Sequence, residues 1–377
     1  MGFAFLVFAS KARRQSKGED GGASQRYQTR IDQKKLTRFV TQSFEKLSVP
    51  ASDAEIAAKA LVAADLRGVD THGVIRFNPH SWYVKWLTEG SMKARPNIRT
   101  VTESAITSLI EGDCGMGMVI GHRAMEMAIQ KAKGAGIGMV GVANSRHYGM
   151  SAYYSMLALP HDMIGIAMTN ASRQVVPTFG REAKYGTNPM CFAVPAGKES
   201  PFVLDMATTT AAAGKLELAA RLGKPIPHGW ALDENADQTA DPRIAQKARR
   251  LLPLGGSRDG GSHKGYGLAV LVEILCGVLT GTVTALNDNQ DPRGHFFGAV
   301  RVDAFRPAEK FKSDMDRLIR GLKSTAPEAG KERVYVAGEI EFETAAERAE
   351  RGIPLHHSVL KGLREVSAQL GVPYDLE

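Results

Sequence analysis

HRAMEMAIQKAKGAGIGMVGVANSRHYG, residues 122–149, places a helical pattern, a glycine-rich joint and a strand pattern in one continuous run. HRAMEMAIQKAK (122–133) reads as a helix closed by Gly134, IGMVGVA (137–143) as a buried strand, and NSRHYG (144–149) as the polar loop at that strand's end. This order is the reverse of the strand, glycine loop and helix that a Rossmann dinucleotide fingerprint needs, so GAGIG (134–138) is a joint and not a phosphate loop. GMGMVIG (115–121) lacks the third-glycine spacing of that fingerprint. The run therefore predicts an α/β chain whose nucleotide site, if it has one, is built differently.

The same pattern recurs outward from this run. MIGIAMT (163–169) reads as a strand ending at Asn170, and FVLDM (202–206) as one that delivers Asp205 at its end. Thr208, Thr209 and Thr210 are expected to N-cap the helix that follows them, with Asp205 as an alternative cap. Polar groups at strand ends are where α/β sheets bind ligands. GLAVLVEILCGVLTG (267–281) is apolar on every side and is expected to be a core helix. Toward the N-terminus, Ser52 and Glu55 form a capping box for a helix that runs through LVAADLR and stops at Gly68. The C-terminal part returns to polar helices, ending with LREVSAQLG (363–371).

Composition narrows the function classes. The chain has 377 residues, 43% hydrophobic and 23% charged, long enough for two or three lobes. Its net charge of +8 lies mostly in residues 1–50, where ten Lys or Arg face four Asp or Glu, and the remainder is nearly balanced. A basic N-terminal arm explains that charge better than a nucleic-acid groove. The apolar run GFAFLVFAS is too short to span a bilayer, and its basic cluster follows it, against the order of a signal peptide. Residues 1–30 are expected to be a flexible extension. Cys114, Cys191 and Cys276 form no CxxC, which points to a reducing, cytoplasmic setting.

Candidate chemistry gathers at a few positions. RGVDTHGVIRF (67–77) crowds Arg67, Asp70, His72 and Arg76 where a helix stops. A histidine can take a hydroxyl proton as a hydride leaves and return it in reverse, and His72 and His147 are both candidates. Arg76, four residues after His72, offers a fork that suits a substrate carboxylate. In GGSHKGYG, Lys264 and Gly265 lie at the start of a long helix, whose free N–H groups favour an anion; the competing reading is a solvated loop capped by Ser262. No HExxH, paired CxxC or G-x-S-x-G pattern is present, which disfavours metal sites and hydrolases. Side chains cannot accept hydride, so a proton-handling histidine, a carboxylate clamp and a phosphate site together point to a nicotinamide.

ADLRGVDTHGVIRF (64–77), GIGMVGVANSRHYG (136–149), TNASRQVVPTFGREAKYGTNPM (169–190), LDMATT (204–209), HKGYGLAVLVEILCGVLTG (263–281) and VAGEIE (336–341) followed by RGIPL occur in one order. In that order the chain resembles the malate/L-lactate dehydrogenase family of the second type, which includes ureidoglycolate, sulfolactate and diketogulonate oxidoreductases and some cyclic imine reductases. The resemblance runs from about residue 35 to about 371.

It implies a non-Rossmann, mixed-sheet NAD(P)-binding fold with a discontinuous helical lobe, an active site between lobes, and a homodimer. Residues 31–125 with 290–377 would form the helical, substrate-binding lobe, and 126–289 the cofactor lobe. His72 matches a histidine that some members use for proton transfer, with the preceding hydroxyl, here Thr71, and Asp205 as a relay. His147 matches the histidine that other members use as the base. Arg76 matches the carboxylate-binding arginine, and Asn188 would line the nicotinamide and substrate end. Asp205, Met206, Ala207, Lys264, Gly265, Gly338, Glu339 and Ile340 match segments that touch NAD or NADP. Thr71 stands where serine is usual, and His80 replaces an aromatic of the substrate pocket. The expected reaction interconverts a 2-hydroxy acid of the malate or lactate type and its 2-oxo acid. Reduction of a cyclic imine carboxylate, or nucleotide binding without chemistry, are the alternatives.

Overall fold

The helix–glycine–strand run forms the middle of a seven-stranded mixed sheet in the computed structural model, which describes residues 28–80, 82–283, 285 and 292–377. In chain order the elements begin with β1 (Gln28–Ile31), α1 (Gln33–Lys46), α2 (Ala51–Leu66), α3 (Trp82–Thr88), β2 (Arg99–Glu103), β3 (Thr107–Glu111), α4 (Gly117–Ala135), β4 (Ile137–Ser145) and α5 (Ser151–Ser155). They continue with β5 (Met163–Thr169), β6 (Met190–Val194), β7 (Phe202–Met206), α6 (Ala213–Arg221), α7 (Pro242–Ala248), α8 (Ser262–Glu273) and β8 (Arg293–Arg301). The chain closes with α9 (Ala308–Lys323), α10 (Glu339–Arg351), β9 (Ile353–His356) and α11 (His357–Leu370).

The sheet order is β2-β3-β4-β8-β5-β6-β7. β3 and β4 pair in parallel, whereas β8 runs antiparallel to both β4 and β5, setting Phe297 opposite Val140 and Ala167. α4 is the crossover between β3 and β4. Its Ile120, Ala124, Met125, Ala128 and Ile129 recur at helical spacing and pack on Val140, Val142, Phe297 and Ala299. Burying each of the larger side chains contributes about 1.5–3 kcal/mol.

The chain divides into two compact units. One holds the described residues up to Arg95, with Pro195–Phe202 and Arg306–Glu377, and is mainly helical around the β1–β9 ladder. The other holds Pro96–Val194 and Val203–Phe305 and carries the sheet. These boundaries differ from the expected divisions at residues 125/126 and 289/290. β2, β3 and the whole of α4 are parts of the sheet layer, as is β8, so the cuts fall before and after them.

Several local expectations need correction. α2 begins at Ala51 with Pro50 as N-cap, which places Ser52 inside the helix, where its hydroxyl faces Asp53 instead of capping. α4 is closed by Gly136, at φ 85°, and not by Gly134, which lies within the helix. α6 starts at Ala213, without a side-chain cap; Thr208 instead donates to the carbonyls of Thr187 and Asn188. The N-cap of α8 is Gly261, and Ser262 bonds the Thr178 hydroxyl. α8 and the π-turn after it, Ile274–Val278, are not enclosed: Leu271, Ile274, Val278 and Leu279 are 44%, 45%, 60% and 61% exposed. Of the expected N-terminal extension, residues 1–27 lie outside the described residues, and Gln28–Arg30 belong to β1. Among the described residues no helix is long and apolar enough to cross a membrane.

Candidate functional site

α2 ends at Leu66 and the chain turns through Gly68 at φ 77° into two short 3-10 turns, Asp70–His72 and Val74–Arg76. This loop is built under constraint. The buried Asp65 carboxylate accepts the Val74 N–H at 2.8 Å, and burial raises its pKa well above the ordinary carboxylate value. A Cβ on Gly73 would lie 1.9 Å from an Asp65 oxygen, so only glycine lets the loop close over that carboxylate. Arg67 is buried with its guanidinium 4.5 Å from the Phe342 ring centroid, and Asp70 pairs with Arg348 of α10. Arg348 also donates to the Asp65 carbonyl. The two flanking charges thus brace the loop, one by stacking and one by an ion pair.

Within this frame Thr71, His72 and Arg76 come together. Thr71 Oγ1 lies 2.9 Å from His72 Nδ1, and Arg76 Nε donates to the Thr71 carbonyl at 2.8 Å. The Arg76 guanidinium sits over the Trp82 ring, 4.5 Å from its centroid. His72 is half-buried; desolvation and, secondarily, the Arg76 charge lower its pKa from 6.5 to about 4. The imidazole is therefore neutral at pH 7 and able to accept a proton. His80 points elsewhere: it is exposed and faces Glu365 at 3.5 Å. In the same unit Gly338, at φ 90°, N-caps α10. Glu339 is buried and committed, accepting the Val336 N–H and pairing with Lys323 at 2.7 Å, and Ile340 follows, half-buried.

The other candidates lie in the sheet unit. His147 is half-buried after β4, and its Nδ1 accepts the Gly149 N–H at 3.3 Å. The loop is held tightly: Tyr148 stacks on His295 at 4.8 Å, its hydroxyl bonds Ser151 at 2.6 Å, and its carbonyl accepts the Tyr154 hydroxyl. Gly117, at the start of α4, has no room for a Cβ, which would lie 2.1 Å from the Arg146 carbonyl. Gly117 therefore serves packing beneath the histidine loop, whereas a Cβ on Gly115 would lie 2.4 Å from Pro96. Asp205 accepts the Ala152 N–H at 2.8 Å and so caps α5, not α6.

Asn188 has no surface for a substrate. It is fully buried, its Oδ1 accepts the Ala171 N–H, and its Nδ2 donates to the Ala269 carbonyl and to Glu273. With its own carbonyl accepting from Thr208, it ties the Asp205-Met206-Ala207 segment to α8. Glu273, Arg348 and Tyr148 were missed in the sequence because their partners are distant or their role is packing.

Lys264 is exposed in the first turn of α8, and its ammonium has no hydrogen bond or ion pair among the described residues. The ammonium at the positive end of this 12-residue helix suits an anionic group such as a phosphate, although the Ser262 and Lys264 N–H groups already donate to the Ser257 and Gly261 carbonyls. Gly265 serves α8 packing, since a Cβ there would lie 2.4 Å from the Leu254 carbonyl.

The profile of the family described as malate/L-lactate dehydrogenase matches residues 31–364. A malate dehydrogenase of Pyrococcus horikoshii is 41% identical over 360 residues, covering 94% of this chain and 99% of that protein. An L-sulfolactate dehydrogenase of Methanocaldococcus jannaschii is 38% identical, covering 89% and 95%. The crystal structure of malate dehydrogenase from Entamoeba histolytica superposes with a TM-score of 0.88 at 34% identity, covering 93% of this chain and 100% of that one. The sequence and structural matches agree: the chain belongs to the malate/L-lactate dehydrogenase family and is an oxidoreductase of the hydroxy acid type.

Proposed function

We propose that the chain is an NAD- or NADP-dependent dehydrogenase that interconverts a 2-hydroxy acid of the malate or lactate type and its 2-oxo acid. The observation that carries this reading is the Thr71–His72–Arg76 arrangement, a neutral imidazole between a hydroxyl and a fixed guanidinium. Arg76 holds the substrate carboxylate as a fork. His72 takes the proton of the adjacent hydroxyl, and Thr71, bonded to Nδ1, fixes the ring's orientation. A bound nicotinamide supplies the hydride acceptor that no side chain provides. Lys264 and the first turn of α8 bind its pyrophosphate, with Asp205, Met206 and Ala207 along the same segment. Asp205 carries an exposed carboxylate that can accept from a ribose hydroxyl or an amide of the cofactor, whereas Asn188 acts by holding the segment in place.

The test is a panel of malate, lactate, sulfolactate and, in the reductive direction, piperideine-2-carboxylate, each with NAD(H) and NADP(H), followed at 340 nm. Turnover of a 2-hydroxy acid with either nicotinamide is the expected result. Turnover of the imine alone moves the assignment to imine reduction, and no turnover with any pair removes both.

A homodimer and a cytoplasmic location complete the reading. The two buried cysteines and the half-exposed Cys114 are free, which suits a reducing compartment. The exposed stripe of Leu271, Ile274, Val278 and Leu279 is an apolar face of the kind a second copy covers. Light scattering is expected to give twice the mass of one chain. Ile274→Glu combined with Val278→Asp is expected to give the single-chain mass, because each charge would be buried without a partner. A double mutant that stays dimeric places the interface elsewhere.

A further inference from the structure

Arg173, Glu182, Ala183, Ala248, Arg249 and Arg250 line an open cleft of about 310 Å³ within the sheet unit. It shares no lining residue with the candidate site, and its volume is at the lower end of ligand-sized cavities. Its charge is one-sided: three guanidinium groups face one carboxylate, and that carboxylate, Glu182, already pairs with Lys184 at 3.1 Å.

The arginines are placed by the fold. Arg250 Nη1 donates to the carbonyls of Asp233 and Glu234 at 3.0 and 2.6 Å, which fixes the group without cancelling its charge. Arg249 closes α7 in the left-handed region, at φ 51° and ψ 49°, a conformation suited to glycine. Its side chain is exposed and has no hydrogen bond or ion pair among the described residues. A long cationic residue thus occupies a glycine-type position beside Arg250, whose partners are neutral carbonyls, and an anion in the cleft would offset the charge of both. Nothing in the hydride-transfer chemistry uses this cluster.

We propose that this cleft binds a small multivalent oxyanion, held by the Arg173, Arg249 and Arg250 guanidinium groups, whose planar forks suit phosphoryl and carboxylate oxygens alike. Isothermal titration of the full chain at low ionic strength with pyrophosphate and, separately, citrate tests it. At least one is expected to bind with a Kd of about 1 mM or tighter. Pyrophosphate alone identifies a phosphoryl ligand and citrate alone a polycarboxylate.

Arg249→Gly keeps the left-handed backbone while removing the charge, so it is expected to fold and to weaken binding about fivefold or more, as is Arg173→Gln. Arg243→Ala, an exposed arginine on α7 outside the lining, is expected to bind within about twofold of the parent protein, since a general surface field is screened by salt. No heat from either anion up to about 10 mM, or an equal loss in Arg243→Ala, overturns the proposal.

Discussion

Replacing His72 by asparagine is expected to lower kcat for hydroxy acid oxidation by about 10²–10⁴-fold, the usual contribution of a positioned acid–base group. Asparagine can still bond the Thr71 hydroxyl, and the loop is held by Asp65, Arg67 and Asp70, so the fold should survive and the loss should be chemical. The pH dependence gives an independent reading. Burial first, and the Arg76 charge second, lower the His72 pKa from 6.5 to about 4. Oxidation needs the neutral ring, which exists above that pKa. The profile of kcat/KM for oxidation should therefore stay level from neutral pH to about 5 and fall as pH drops through about 4. Reduction needs the protonated ring, and its kcat/KM should rise over the same window. An acid limb at the ordinary histidine value of about 6.5, together with full activity in the His72→Asn protein and its loss in His147→Asn, assigns proton transfer to His147.

The parts of the molecule that were legible in the sequence are those whose determinants are local. β5 and β7 occupy the residues their apolar runs indicate, and α2 ends before the glycine that stops it. The loop histidine stands out because Thr71, His72 and Arg76 lie within six positions and meet within six positions. Termini were less legible where neighbouring residues compete for one task. Gly134 and Gly136 are equally good stops by composition, and only the left-handed φ of Gly136 decides between them.

What sequence reading missed depends on contacts far along the chain. Asp70 finds Arg348, 278 residues away, and Asn188 finds Glu273, 85 residues away, which turns an apparent ligand contact into a buried support. The uniformly apolar run of α8 says that its faces avoid water; it does not say whether its own chain covers them all. The unit boundaries escaped for a related reason, since β4, the strand after α4, is joined to β5 through β8, from much later in the chain.

Removing Arg76 should produce the second large effect. In Arg76→Ala, KM for the hydroxy acid is expected to rise by about 10²–10³-fold, the scale of a charge-assisted fork lost from a partly buried carboxylate. Arg76→Lys keeps the charge but loses both the planar fork and the seat over Trp82, and a rise of about 10-fold or more is expected. The same substitution should reach the imidazole. Arg76 is one of the two causes that depress the His72 pKa, and its charge is of the same sign as a protonated ring. Its removal lets that pKa move up toward 6.5, so the acid limb of the oxidation profile should shift to higher pH in Arg76→Ala and not in Arg76→Lys. The two readouts separate the roles of this residue. A higher KM without a shifted limb leaves Arg76 as a carboxylate clamp and burial as the cause of the low His72 pKa, whereas a shifted limb with unchanged KM means that another cation holds the acid.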